Sequence, residues 1–195
     1  MHGIIRRSLP ALLFTLAAQP ALAGDLAAFR QQARAASQAF MKKLAGEMKA
    51  ALQTGGPAQA LQVCKDRAPA ITSAESRRRG WKMTRVSLKY RDPMLGMPDA
   101  WEAARLREFA RRRARGEDIA KLEVVAEVTD PTGRRYYRYL KAIGTRPVCL
   151  MCHGEPDQIA PEVRRQLGKL YPHDLATGFH VGDIRGAISI KAPAD

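Results

Sequence analysis

Residues 149–154 read Cys-Leu-Met-Cys-His-Gly, and no other stretch constrains the fold as tightly. Two thiols and an imidazole within five residues need a common partner. A structural zinc site would want a second Cys or His pair at matching spacing, whereas Cys64, His173 and His180 are scattered. A thioredoxin-type pair follows a strand and opens a helix, and a histidine can follow it. A covalent haem joins both thiols to the vinyl groups of one ring and sets the next residue under the iron. That gives the order Cys-x-x-Cys-His a geometric reason. The expectation is therefore one covalent haem c, with Cys149 and Cys152 as thioether anchors and His153 as proximal iron ligand.

The chain opens MHGIIRRSLPALLFTLAAQPALAGD. Arg6 and Arg7 precede an apolar run, and Ala21-Leu22-Ala23 is a small-x-small cleavage pattern, so residues 1–23 read as a cleaved signal peptide. The run falls short of the ~20 residues that span a bilayer. Residues 24–195 then form a single domain, long enough for a real core, placed in the periplasm. Thiols there tend to oxidise, yet the chain has three cysteines, so pairing leaves one over. Two thioether bonds leave Cys64 to explain.

The net charge is +14, and 31 basic residues still face 19 acidic ones once Arg6 and Arg7 leave. In an exported protein this excess favours anionic envelope surfaces or an acidic redox partner over nucleic acid. The clusters Arg77-Arg78-Arg79 and Arg111-Arg112-Arg113-Ala114-Arg115 fall at predicted helix ends, where cations suit the dipole.

Apolar residues recur every three or four positions from Leu26 to Leu52, which predicts one long amphipathic helix over residues 25–53. Thr54-Gly55-Gly56-Pro57 stops it and starts a second, which carries Cys64 on its apolar face and is kinked or divided at Pro69. Beyond Gly80 the period changes. WKMTRVSLKY predicts a strand in which Val86, Leu88 and Tyr90 alternate, RDPMLGMPD a loop, and residues 100–115 a helix. LEVVAEVTD, a Pro/Gly turn and RRYYRYLKAIG predict a hairpin. A short helix over 162–170 and a last strand, GAISIKA, follow the Cys-x-x-Cys-His loop. Helices first and an antiparallel sheet after them make the class α+β.

The second axial position of the iron decides what the haem does. No methionine follows Met151, which sits inside the motif. Met94, Met97, His173, His180 and Cys64 are the candidates, although an apolar-face cysteine is ordinarily a small buried hydrophobe.

The segments ALQVCKDRAPAI, RVSLKYRDPMLGMPDAWE, VCLMCHG and YPHDLATGFHVGDIRGAISI occur in that order. Together they resemble a family of exported single-haem c-type proteins with a PAS-like fold, first defined only as a domain of unknown function. Related domains serve as extracytoplasmic sensor modules. The resemblance runs from about Leu26 to Lys191. It implies a PAS-like antiparallel sheet flanked by helices, with long N-terminal helices, and His/Cys axial ligation in which Cys64 is the distal iron ligand. The chain departs from many relatives at Asp92, where they carry Asn, and at Leu95 or Gly96, where Asn is common.

A thiolate stabilises ferric iron and lowers the potential. On reduction it can leave, opening the iron to CO, NO or O2, which supplies a switch. Arg85, Arg91, Arg135 and Arg138 are expected to hold the thiolate or the haem propionates. The resulting expectation is a non-enzymatic sensor of redox state or of a diatomic gas, signalling through an unidentified protein. The alternative is a low-potential electron carrier docking an acidic partner. His173 and Asp174 are the only obvious acid/base pair, and a six-coordinate iron argues against an enzyme. Long N-terminal helices in sensor domains often pair, which makes a homodimer the assembly to test.

Overall fold

The computed structural model describes residues 21–194. The expected leader lies outside them except for its last three residues, whose backbone already opens the first helix. Helix α1 (Ala21–Gln62) buries Phe29, Ala33, Ala36, Phe40 and Leu44, the face that the spacing predicts. It breaks where expected, at Gly55 and Gly56. Gly56 has φ 68°, a region glycine enters without a Cβ penalty, and Pro57 opens the next segment. A π turn (Val63–Arg67) leads into α2 (Ala68–Arg79), which ends on Gly80 in the left-handed conformation. Its last turn holds Arg77, Arg78 and Arg79, and Arg78 and Arg79 pair with Glu75.

Strand β1 (Lys82–Val86) stops earlier than the alternation through Leu88 and Tyr90 suggests. The Ser87 N–H donates to the Gly96 carbonyl at 3.0 Å and its hydroxyl to the Arg185 carbonyl at 2.8 Å, which turns the chain out of the sheet. The expected loop contains a one-turn helix, α3 (Pro93–Gly96), because Asp92 accepts the Met94 N–H. Helix α4 (Ala100–Ala114) starts on a reciprocal capping box between Asp99 and Glu102. Its arginine-rich end is largely neutralised, with Arg111 on Glu108 and Arg112 on Glu117.

Strands β2 (Glu123–Thr129) and β3 (Arg135–Gly144) form the expected hairpin. At its turn Asp130 accepts the N–H groups of Thr132 and Arg134. After a 3-10 turn (Pro147–Cys149) come α5 (Leu150–His153), α6 (Pro161–Leu170) and β4 (Ile184–Pro193). The sheet is antiparallel throughout, in the order β1-β4-β3-β2. The fold is α+β.

Strand alternation divides the core between the two faces of this sheet. Met83, Tyr137, Tyr139, Ile188 and Ile190 pack with α1 and α2; Val86, Leu140, Ala142 and Ala187 pack with Leu106 and Phe109 of α4. Each large apolar side chain buried fully there contributes about 1.5–3 kcal/mol. Glu123 fastens α1 to the sheet, accepting from Arg30, Arg34 and the Tyr139 hydroxyl. A register shift between Ile143 and Gly144 loosens one end of the β3–β4 ladder, and the site lies at that end.

Candidate functional site

Cys149, Cys152 and His153 are spaced i, i+3 and i+4 along one helical turn, which stacks them on a common face. Gly154 ends the turn, and a Cβ there would sit 2.8 Å from the Leu150 carbonyl oxygen. The loop before β4 folds back on the motif. Gly178 N–H donates to the Gly154 carbonyl at 2.8 Å, and Phe179 N–H to the His153 carbonyl at 2.9 Å.

His153 Nδ1 lies 2.6 Å from the Ala176 carbonyl oxygen. A carbonyl only accepts, and its 2.6 Å contact outweighs the competing Arg185 Nε–H at 3.2 Å, so the ring hydrogen is assigned to Nδ1 and the Nε2 lone pair is left to bind a metal. The Arg91 and Arg185 guanidinium groups stand 3.1 and 3.2 Å from Nδ1. Burial first, and then these two cations, hold the imidazole pKa well below its ordinary value. The ring is neutral at pH 7, the form a ligand needs.

Cys64 owes its place to Pro69. A proline at 69 has no N–H for the Lys65 carbonyl, and its ring crowds that oxygen. The backbone widens instead, Ala68 N–H reaching Val63 O, and the π turn results. Arg67 of this turn pairs with Glu47 of α1 at 2.8 Å, which holds the two segments in register. Cys64 Sγ then meets Met48 Sδ at 3.3 Å.

Cys64, Cys149, Cys152 and His153 all line one cavity of about 330 Å³, within the usual range for small-molecule sites. Leu44, Leu52, Leu61 and Leu170 supply much of its apolar wall. None of the three cysteines is paired in a disulfide. Among the described residues no three His, Cys, Asp or Glu side chains come together to hold a metal ion, so the zinc reading lacks its ligand set.

Arg85, Arg91 and Arg185 also line the cavity. Arg91 is 10 % exposed; it pairs with Asp174 at 3.1 Å and donates to the carbonyls of Cys152 at 2.5 Å and Ala176 at 3.2 Å. Arg185 donates to Ser87 Oγ and the Lys89 carbonyl, and burial with the two neighbouring cations lowers its pKa to about 9. Burial lowers Arg85 as well, and among the described residues it has neither a hydrogen-bond nor an ion-pair partner. Four cations line the cavity, Lys65, Arg85, Arg91 and Arg185, against one lining carboxylate, Asp92, and Asp174 pairs with Arg91 alone. This excess of positive charge suits a flat apolar group that brings its own anions. A haem, with its propionates and a thiolate ligand, meets that description, so the donor set fits it.

Two expectations about arginines are corrected. Arg135 pairs with Glu127, and Arg138 is buried against Asp99 and Glu102 beside the Trp101 ring, on the α4 side of the sheet. Neither reaches the cavity; Arg185, which lies just before the strand predicted from Gly186 and carries no expected role, does. The other axial candidates also lie outside. Met94 and Met97 are 89 % and 55 % exposed, His173 is exposed, and His180 is on the surface with Glu155 and Asp183. Asp174 is engaged by Arg91, so it is not a free partner for His173. Met41, Met48 and Met151 are the methionines that line the cavity. Met48 was legible only as one apolar position of a helix.

The family model for Tll0287-like proteins matches residues 23–193. The chain belongs to the Tll0287-like family. Among solved structures, the crystal structure of the cyanobacterial heme-protein Tll0287 is similar with a TM-score of 0.63. Identity is 20%, and the match covers 91% of this chain and 98% of that one. At that identity the likeness is one of fold. No curated protein matches the chain. The Tll0287-like match spans the four segments on which the resemblance to a haem-protein family rests.

Proposed function

We propose that this Tll0287-like protein is an exported, periplasmic c-type haem protein that senses redox state or a diatomic gas. Cys149 and Cys152 attach the haem, and His153 and Cys64 ligate its iron. The observation that carries the reading is the convergence of these four residues, from two distant segments, on one apolar cavity. Bound there, haem supplies a one-electron iron couple with an exchangeable axial position. The Ala176 carbonyl fixes the His153 tautomer, and Arg91 holds that carbonyl in place. Arg85 lines the cavity with Cys64 and has no ion-pair partner among the described residues, so it would serve as counter-charge to an anionic iron ligand there.

An electron-carrier role has one observation in its favour. Leu95 and Val148 line the cavity and are also 54 % and 50 % exposed, so an edge of the bound group would be reachable by a partner.

The test is the mass of the exported protein after denaturation. A chain beginning at Gly24 and carrying one haem supports the reading, and loss of the haem in Cys149→Ser with Cys152→Ser would confirm the anchors. A denatured chain without haem overturns it. Ferrous protein that binds CO readily favours sensing; ferrous protein inert to CO favours electron transfer.

A further inference from the structure

We propose that Met48 is a second axial ligand, which takes the iron from Cys64 when the haem is reduced. The inference rests on the haem reading above. Cys64 Sγ and Met48 Sδ are 3.3 Å apart and face the same cavity, so one axial position is within reach of both. The Glu47–Arg67 pair is adjacent to Met48 and on the same turn as Cys64, and it keeps the two sulfurs opposed. Met41 and Met151 line the cavity too, but among the described residues the hydrogen-bond partner of Cys64 Sγ is Met48.

The segment bearing Cys64 is lightly packed. None of the residues of the π turn is buried, and its wide backbone lacks the i→i+4 bond that Pro69 cannot make. The two sulfurs also differ in what they stabilise. An anionic thiolate favours ferric iron, whereas a neutral, soft thioether favours ferrous iron and raises the potential. When an external reductant supplies one electron, Cys64 departs with the electron pair of its iron–sulfur bond. It stays beside Arg85, and a lone pair of Met48 forms the new bond. Charge and electrons balance with no other reactant. The ferrous protein is then closed by Met48, and a gas must compete with that thioether.

The experiment uses purified holoprotein, anaerobic and reduced with dithionite. Wild type is expected to show an upfield-shifted methionine methyl resonance in the proton NMR spectrum of the ferrous state. That resonance should vanish in Met48→Leu and persist in Met41→Leu and Met151→Leu. If Met48 fills nine ferrous sites in ten, Met48→Leu binds CO with apparent affinity about tenfold higher. A ferric spectrum of Met48→Leu equal to wild type shows that fold and Cys64 ligation survive the change. Ferrous wild type without the shifted methyl overturns the proposal, even if a variant fails to fold. Failure of the haem reading is distinct: no covalent haem is then found, and both ideas fall.

Discussion

Replacing Arg91 with Ala removes a side chain that ties three groups of the site together. Its guanidinium pairs with Asp174, itself 12 % exposed, and donates to the carbonyls of Cys152 and Ala176. The variant leaves a partly buried carboxylate without a counter-ion and two carbonyls without a donor. Breaking a buried pair from one side costs about 3–5 kcal/mol, because the abandoned charge dominates. At a slope of about 2 kcal/mol per molar urea, the midpoint falls by about 1.5–2.5 M with the slope unchanged. Urea unfolding followed by circular dichroism measures it. Arg91→Lys should recover little, since a point charge cannot serve three acceptors as a planar fork does. Arg91→Met with Asp174→Asn should recover part of the loss by removing the orphaned charge. A drop of less than about 0.5 M for Arg91→Ala would refute the argument that this arginine pins the motif to its returning loop.

Pro69→Ala returns an N–H to the Lys65 carbonyl and lets the π turn close into an α-helix. One residue of helical phase is about 100°, enough to turn Cys64 off the cavity. The ferric absorption spectrum should lose its thiolate character, and an unchanged spectrum would show that Pro69 does not set the turn. Glu123 is held down to about 2 from 4.5, chiefly by the Arg34 hydrogen bond, with Tyr139 and Arg30 adding to it against burial. Its contribution is therefore full above about pH 4.5 and lost as the pH falls through 2. Between those limits wild type should lose at most about 3 kcal/mol that Glu123→Gln does not lose, the limit being generous because Arg30 and Arg34 are half exposed. Parallel stability curves would count against it. Gly186→Ala puts a Cβ onto the Val86 carbonyl oxygen and should cost about 1–3 kcal/mol, read as a fall in Tm of about 2–4 °C per kcal/mol.

Local chemistry made much of this molecule legible. The break at Gly55-Gly56, the Asp130-Pro131-Thr132-Gly133 turn and the helix ends at Gly80 and Arg115 each depend on residues a few positions apart. Events that depend on distant partners were not legible. β1 ends at Val86 because Ser87 bonds to Arg185 and Gly96, although Leu88 and Tyr90 continue the alternation. Arg138 has the parity of Leu140 and Ala142, which places it on the α4 face, but nothing in the strand says which face carries the cavity. Met48 and Arg185 joined the site for the same reason. Each looks ordinary on its own element, and only the packing of α1 on the π turn, or of β4 on the motif, gives it a role.

The central claim is that Cys64 and His153 share one iron, and the ferric electron paramagnetic resonance spectrum of wild type beside Cys64→Ala tests it most directly. The account predicts a low-spin, thiolate-ligated signal in wild type that disappears in the variant while the covalent haem remains. An identical signal in both proteins would contradict it.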